Sequence, residues 1–214
     1  MARQNRVTPF GEIVAVSERG TMMGNRGVLH DAAGHIRRPW LVKRWIICRL
    51  EFRERRRVVM SPDRYTELFF LDEATGLAAG HRPCVECRRK AFASYAEAWA
   101  AENPGAAKPK VSVIDERLHA ERVGPDRRQR TFRATVADLP DGVFVTCDDA
   151  EGEARLLWKG RLLTWSPGGY AAGNPAFAHG EVTVLTPRST VNVIRAGYKP
   201  EVHPSANDPV SVGA

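Results

Sequence analysis

Cys84 and Cys87 stand three positions apart in Cys-Val-Glu-Cys, directly ahead of a stretch with helical spacing. Thiolates at that spacing reach one metal ion when a turn folds the backbone around it, and a helix after the turn supports the knuckle. The competing chemistry is a redox pair that opens a helix with an acidified first thiol. Such a pair follows a long hydrophobic strand, whereas here a short helix and Gly80-His-Arg-Pro precede the first thiol. Metal binding is therefore favoured, with two unligated thiols as the plainer alternative. Cys147, beside Asp148 and Asp149, reads as a small strand residue.

A second constellation lies in Val113-Ile-Asp-Glu-Arg-Leu-His-Ala-Glu-Arg122. Asp115, His119 and Arg122 fall at i, i+4 and i+7, so a helix lines them on one stripe beside the apolar Ile114 and Leu118. A carboxylate that fixes the tautomer of a histidine suits general-base catalysis or a supported metal ligand. Asp115 and His119 are thus the candidate catalytic pair of a metal-assisted hydrolase or nuclease. A surface ion pair on an ordinary helix is the plainer expectation. No Ser-His-Asp order, HExxH or nucleotide-binding loop occurs in the sequence.

Charge is concentrated. Between residues 37 and 57 nine basic residues stand against two acids, a surplus equal to the +7 of the whole chain. The candidates for nucleic-acid contact are Arg37, Arg38, Lys43, Arg44, Arg53, Arg55, Arg56 and Arg57, with Trp40, Trp45 and Phe52 interleaved. Guanidinium groups beside aromatic rings suit phosphate contact and base stacking. Basic residues that guard a strand edge are the alternative.

These residues need elements to position them. Ile13-Val-Ala-Val16 predicts a strand, and Gly20, Gly24 and Gly27 predict a turn or hairpin rather than a phosphate loop. Residues 45–52 and 57–60 predict two strands joined by a charged turn, and residues 65–71 a third. Asp72 sits where an N-cap belongs, before a short helix closed by Gly80. Phe92, Tyr95, Ala96 and Trp99 mark the apolar face of a helix over residues 88–102, and another helix is expected over 111–123. After residue 130 come short strands, a hairpin around Lys159-Gly160, a strand over 181–185, a short helix over 189–196 and a tail that frays from His203. The expected class is α+β: a small sheet-and-helix part with a zinc knuckle over residues 1–130, then a β-rich part over 131–214.

At 214 residues, 43% hydrophobic and 27% charged, the chain is globular rather than disordered or fibrous. No apolar run reaches the ~18–20 residues of a membrane span, and the N-terminus lacks the apolar stretch of a secretory signal. Four cysteines in a chain of this length argue against a disulfide framework. The expectation is a soluble, bacterial-type cytoplasmic protein with no membrane partner.

Glu67-Leu-Phe-Phe-Leu-Asp-Glu-Ala-Thr-Gly-Leu-Ala-Ala-Gly-His-Arg-Pro-Cys-Val-Glu-Cys-Arg-Arg89 resembles the end of the Ada-type metal-binding domain. That domain belongs to bacterial adaptive-response regulators that repair methyl phosphotriesters in DNA. The resemblance covers about residues 65–89, with a looser extension back to Cys48. In that family an upstream Cys-x-x-x-Cys pair completes a four-cysteine zinc site, and one of those thiolates accepts the methyl group. Here Cys48 stands alone upstream, with Phe52 four positions on. The resemblance implies Cys84, Cys87 and Cys48 as zinc ligands, and the fourth from His81, His30 or water; a packing role is the alternative for His81. The longer pattern from Gly-Asn-Arg-Gly to His-Arg-Pro-Cys is similar to a bacterial family of unassigned function.

The leading expectation is a zinc-binding protein that contacts nucleic acid, DNA first, through the basic surface, in repair or processing. The alternatives are the Asp115–His119 hydrolase or nuclease and, by resemblance, an alkyl-transfer repair protein with Cys48 as acceptor.

Overall fold

Alternating apolar residues build most of the first sheet. The computed structural model describes residues 2–54, 58–102, 109–148, 152–176 and 180–209. Its first sheet comprises β1 (Gln4–Val7), β2 (Ile13–Ala15), β3 (Met22–Asn25), β4 (Ile46–Arg49), β5 (Leu68–Phe70) and β6 (Arg82–Pro83), in the order β2-β1-β5-β3-β4-β6. The β1–β5 and β4–β6 pairs are parallel and the others antiparallel.

Two expectations are corrected here. The glycine-rich stretch is not a hairpin turn, because Met22–Asn25 forms an interior strand of the sheet. A Cβ on Gly24 would lie 2.6 Å from the Phe70 ring and would collide with the Ile46 carbonyl, so glycine permits close strand approach. The strand expected over residues 57–60 is replaced, where described, by a turn. Met60 has φ 58° and its N–H donates to the Glu67 carboxylate at 2.7 Å, which takes the backbone out of any ladder.

One face of this sheet packs inward through Ile47, Leu68 and Phe70, each fully buried. Against it lies α1 (Glu73–Ala78), capped as expected by the Asp72 carboxylate, which accepts from Thr75 N. Gly76 lets this helix approach closely, since a Cβ there would lie 2.8 Å from Ile47 Cδ1. The remaining helices are α2 (Arg89–Ala101), α3 (Val111–Arg122) and α4 (Arg188–Arg195), and α4 packs on both α2 and α3.

The second sheet is antiparallel throughout: β7 (Phe132–Thr135), β8 (Phe144–Thr146), β9 (Arg155–Trp158), β10 (Arg161–Ser166), β11 (Gly169–Ala171) and β12 (Glu181–Val184), in the order β11-β10-β9-β8-β12-β7. Lys159 and Gly160, at φ 50° and 72°, form the two-residue turn between β9 and β10. The fold is mixed α+β.

One apolar cluster draws Leu68 and Phe70 from the first sheet, Tyr95 and Ile114 from the helices, and Val145 and Val182 from the second sheet. Fully burying a side chain such as Leu or Phe stabilises by about 1.5–3 kcal/mol. A polar hub completes the join. Glu73 accepts from Arg88, from Tyr198 Oη and from Glu201 N, while Asp72 accepts from Tyr170 Oη and His203 N. From His203 to Pro209 the tail expected to fray is anchored: Pro204–Ala206 forms a 3-10 turn, Ala206 is buried, and Trp158 donates to Asn207, while residues 210–214 lie outside the described residues. No helix among the described residues is long and apolar enough to cross a membrane.

Candidate metal centre

Strand register creates the cysteine cluster. In the parallel β4–β6 pair, Ile46 lies opposite Arg82 and Ile47 opposite Pro83, so the next residues along, Cys48 and Cys84, leave the pair side by side. Cys84 N donates to Ile47 O at 2.9 Å and closes this join. The chain then turns: Glu86 N donates to Cys84 Sγ at 3.4 Å and Arg88 N to Cys84 O at 3.2 Å, bringing Cys87 back before α2 begins. The ligand atoms of Cys48, Cys84 and Cys87 all lie within 4.8 Å of one another. Sulfurs around a tetrahedral zinc, with Zn–S near 2.3 Å, stand about 3.8 Å apart, so small adjustments suffice. Among the described residues this is the one such group of three or more His, Cys, Asp or Glu side chains.

The three sulfurs divide their protons unequally. Side-chain hydrogen bonds from Cys48 and Cys87 pull the Cys84 thiol well down. Cys48 is pushed strongly up by its contacts with Cys84 and Cys87 and by burial. Contact with Cys48 lowers Cys87, but contact with Cys84 and burial outweigh it, so that thiol is also raised. A divalent cation held by the three sulfurs would replace the shared protons and let all three act as thiolates. An all-sulfur donor set is soft and suits zinc among the available divalent ions.

The cluster opens on a cavity of about 430 Å3. Its walls follow the pleat. Tyr65 and Glu67, in the segment leading into β5, and Phe69 within it line the cavity in alternation, while Thr66, Leu68 and Phe70 are turned into the core. Met23 lies opposite both Phe69 and Cys48, so one cross-strand row runs from an aromatic ring through a thioether to the thiols. Residues 49–52, the middle of the basic stretch, close another side. Glu67 is 3% exposed, and its bond to Met60 N holds it on the wall.

The histidines lie elsewhere. His81 is fully buried; its Nε2 accepts from Arg26 Nε at 3.1 Å and its Nδ1 lies 3.2 Å from Gly76 O, which leaves neither nitrogen for a metal. Burial, then the nearby Arg26 and Arg122 guanidiniums, hold it neutral by pushing it well below the ordinary 6.5. His30 is engaged by Thr66 Oγ1 and Ser61 O. Cys147 is buried in the apolar core, outside the triad.

Asp115 and His119 share a helix but form no pair. Both Asp115 oxygens bind Arg82, at 2.8 and 2.9 Å, and tie α3 to β6. His119 instead sits edge-on to Trp40, ring centres 4.7 Å apart, and among the described residues its Nδ1 has no hydrogen-bond partner. Arg122, expected on the same polar stripe, is buried and stacks on Trp45 at 3.8 Å. Arg26 stacks on the same indole at 4.1 Å.

The basic stretch divides. Arg38, Arg44, Arg49 and Arg53 are exposed, and Arg53 lies 5.0 Å from the Phe52 ring centre. Arg37 pairs with Asp31 and Lys43 with Glu116. Arg55, Arg56 and Arg57 lie outside the described residues. Trp45 is 5% exposed, which places it in the core rather than on a stacking surface.

Sequence reasoning missed Tyr65, Glu67 and Phe69 as site residues, although their period-two spacing was visible. It also missed Arg26, whose contacts to His81 and Trp45 are all long-range. Compared with family models, with curated proteins and with solved structures, the chain matches none.

Proposed function

We propose that this is a zinc–thiolate protein that binds nucleic acid at the mouth of the triad cavity. The supporting observation is the placement of Cys48, Cys84 and Cys87 on one wall of a cavity whose other wall is built from Arg49 to Phe52 of the basic stretch. The metal fixes the cysteine side; the exposed Arg49 and Arg53 supply phosphate contacts, and Phe52 and Tyr65 supply ring faces. Elemental analysis of the purified protein should find about one zinc per chain, lost on Cys84→Ser. Fluorescence anisotropy with short DNA and RNA strands should show affinity falling steeply with salt, by about 0.7–0.9 log unit per tenfold salt for each phosphate contacted. Salt-insensitive binding, or none at low salt, would sink the nucleic-acid half.

The same cavity reaches Cys48, which favours alkyl acceptance as a second reading. Mass spectrometry after incubation with methylated DNA should then find a methyl adduct on Cys48; an unmodified Cys48 removes this reading. Asp115 gives a hydrolase little support, because Arg82 occupies both its oxygens.

A further inference from the structure

We infer that the metal's fourth coordination position is filled from the cavity and not by a side chain of the described residues, and that its occupant is a neutral heteroaromatic ring offering a nitrogen donor. This rests on the metal reading proposed above and names the ligand class of that site.

Among the described residues three ligand atoms converge and no fourth joins them. The nearest histidine in sequence, His81, has both nitrogens engaged. Three carboxylates line the cavity, but Glu51 and Glu86 are exposed to solvent, and Glu67 is held on the wall by Met60 N. Zinc with three thiolates is one ligand short of its tetrahedral shell, and a closed structural site uses four protein ligands. All three cysteines face the cavity, so that space lies where the missing ligand must enter.

Charge and shape then select the occupant. A divalent cation with three thiolates carries a net charge of about −1. Glu51, Glu67 and Glu86 around the same space add to the negative field and disfavour an anionic donor. Arg49, at the mouth, offsets one of these charges, and apart from it and Asn25 the walls are apolar and aromatic, with Met23, Ile46, Phe52, Tyr65 and Phe69 presenting flat or adaptable surface. A cavity of about 430 Å3 holds a single- or double-ring heterocycle. Such a ring reaches the site either as a free small molecule or as a base presented on a nucleic-acid strand. In each case the nitrogen lone pair forms the bond to the metal, the group it displaces leaves with its own electron pair, and no redox change occurs.

Cobalt(II) loaded into the full-length protein tests this, because its visible spectrum reports the coordination shell. Imidazole is the probe. Titration should shift the d–d bands saturably, and Val59→Trp, which narrows the cavity without touching a thiol, should keep the cobalt stoichiometry and weaken imidazole at least tenfold. A free nucleoside and a short single strand, titrated separately, distinguish the two sources by which shifts the bands at lower concentration. Bands indifferent to imidazole, or equally responsive in Val59→Trp, overturn the inference while leaving the metal reading intact. So does a change in the probe-free spectrum on Glu51→Gln, Glu67→Gln or Glu86→Gln, which would place the fourth ligand on the chain. Failure to bind cobalt at all defeats the metal reading itself, and this inference with it.

Discussion

His81 shows what one buried ring imposes on the molecule. It lies fully buried beside Arg26 and Arg122, and the folded protein refuses it a proton. The unfolded chain accepts that proton below the ordinary value of 6.5, so falling pH favours unfolding. Stability should drop by about 1.4 kcal/mol per pH unit from this group alone once pH falls below that value. Urea titrations at about pH 7 and about pH 5 should show the loss, and His81→Gln should flatten the slope by one proton's worth even if the variant is weaker throughout. The cysteines make a contrasting prediction at the same scale. Cys84→Ser should abolish metal binding, whereas Cys147→Ser, in the apolar core, should leave stoichiometry unchanged.

Elements explain both what the sequence disclosed and what it concealed. Signals carried by a few neighbouring residues were legible: the Asp72 cap, the Lys159-Gly160 hairpin, the apolar stripe of α2 and the Cys84–Cys87 knuckle all depend on local geometry. Pairing across the chain was not. Gly24 reads as a turn residue until β4 and β5 crowd both sides of its strand, and Cys48, named as a ligand only by the family resemblance, joins the knuckle through the parallel register of β4 with β6. Dense apolar character over residues 65–71 predicted a strand, of which Leu68–Phe70 forms, yet large apolar groups lie on both sides of the segment, so nothing local tells core from cavity. The partner Asp115 takes was hidden for a similar reason, because it is Arg82, on another element. That partner makes the pair a tie between α3 and β6. Asp115→Ala should leave a buried, uncompensated guanidinium and cost about 3–5 kcal/mol in chemical denaturation.

At the level of the whole molecule, the polar hub at Asp72 and Glu73 joins regions far apart in the chain. Donors come from Arg88 just ahead of α2, from β11 and from the segment after α4, and Glu73 is itself fully buried. Tyr198→Phe removes one donor to Glu73 while Arg88 stays in place, so a loss of about 1–3 kcal/mol is expected, read as a lower calorimetric midpoint. A chain ending at Gly197 loses that donor together with those of Glu201 and His203, and should be destabilised beyond Tyr198→Phe. In both cases heating should still give one transition, because the apolar cluster that melts draws on both sheets.

The β4–β6 join carries a consequence for solubility. β6 is two residues long and forms the outermost strand of its sheet, beside β4. A metal bridging Cys48 and Cys84 would staple that short strand in place. Chelation would let it peel away and bare the backbone donors and acceptors of β4, a template for pairing with another chain. The first sign of metal loss should therefore be self-association that grows with protein concentration, seen by light scattering while the helices, followed by circular dichroism, remain formed.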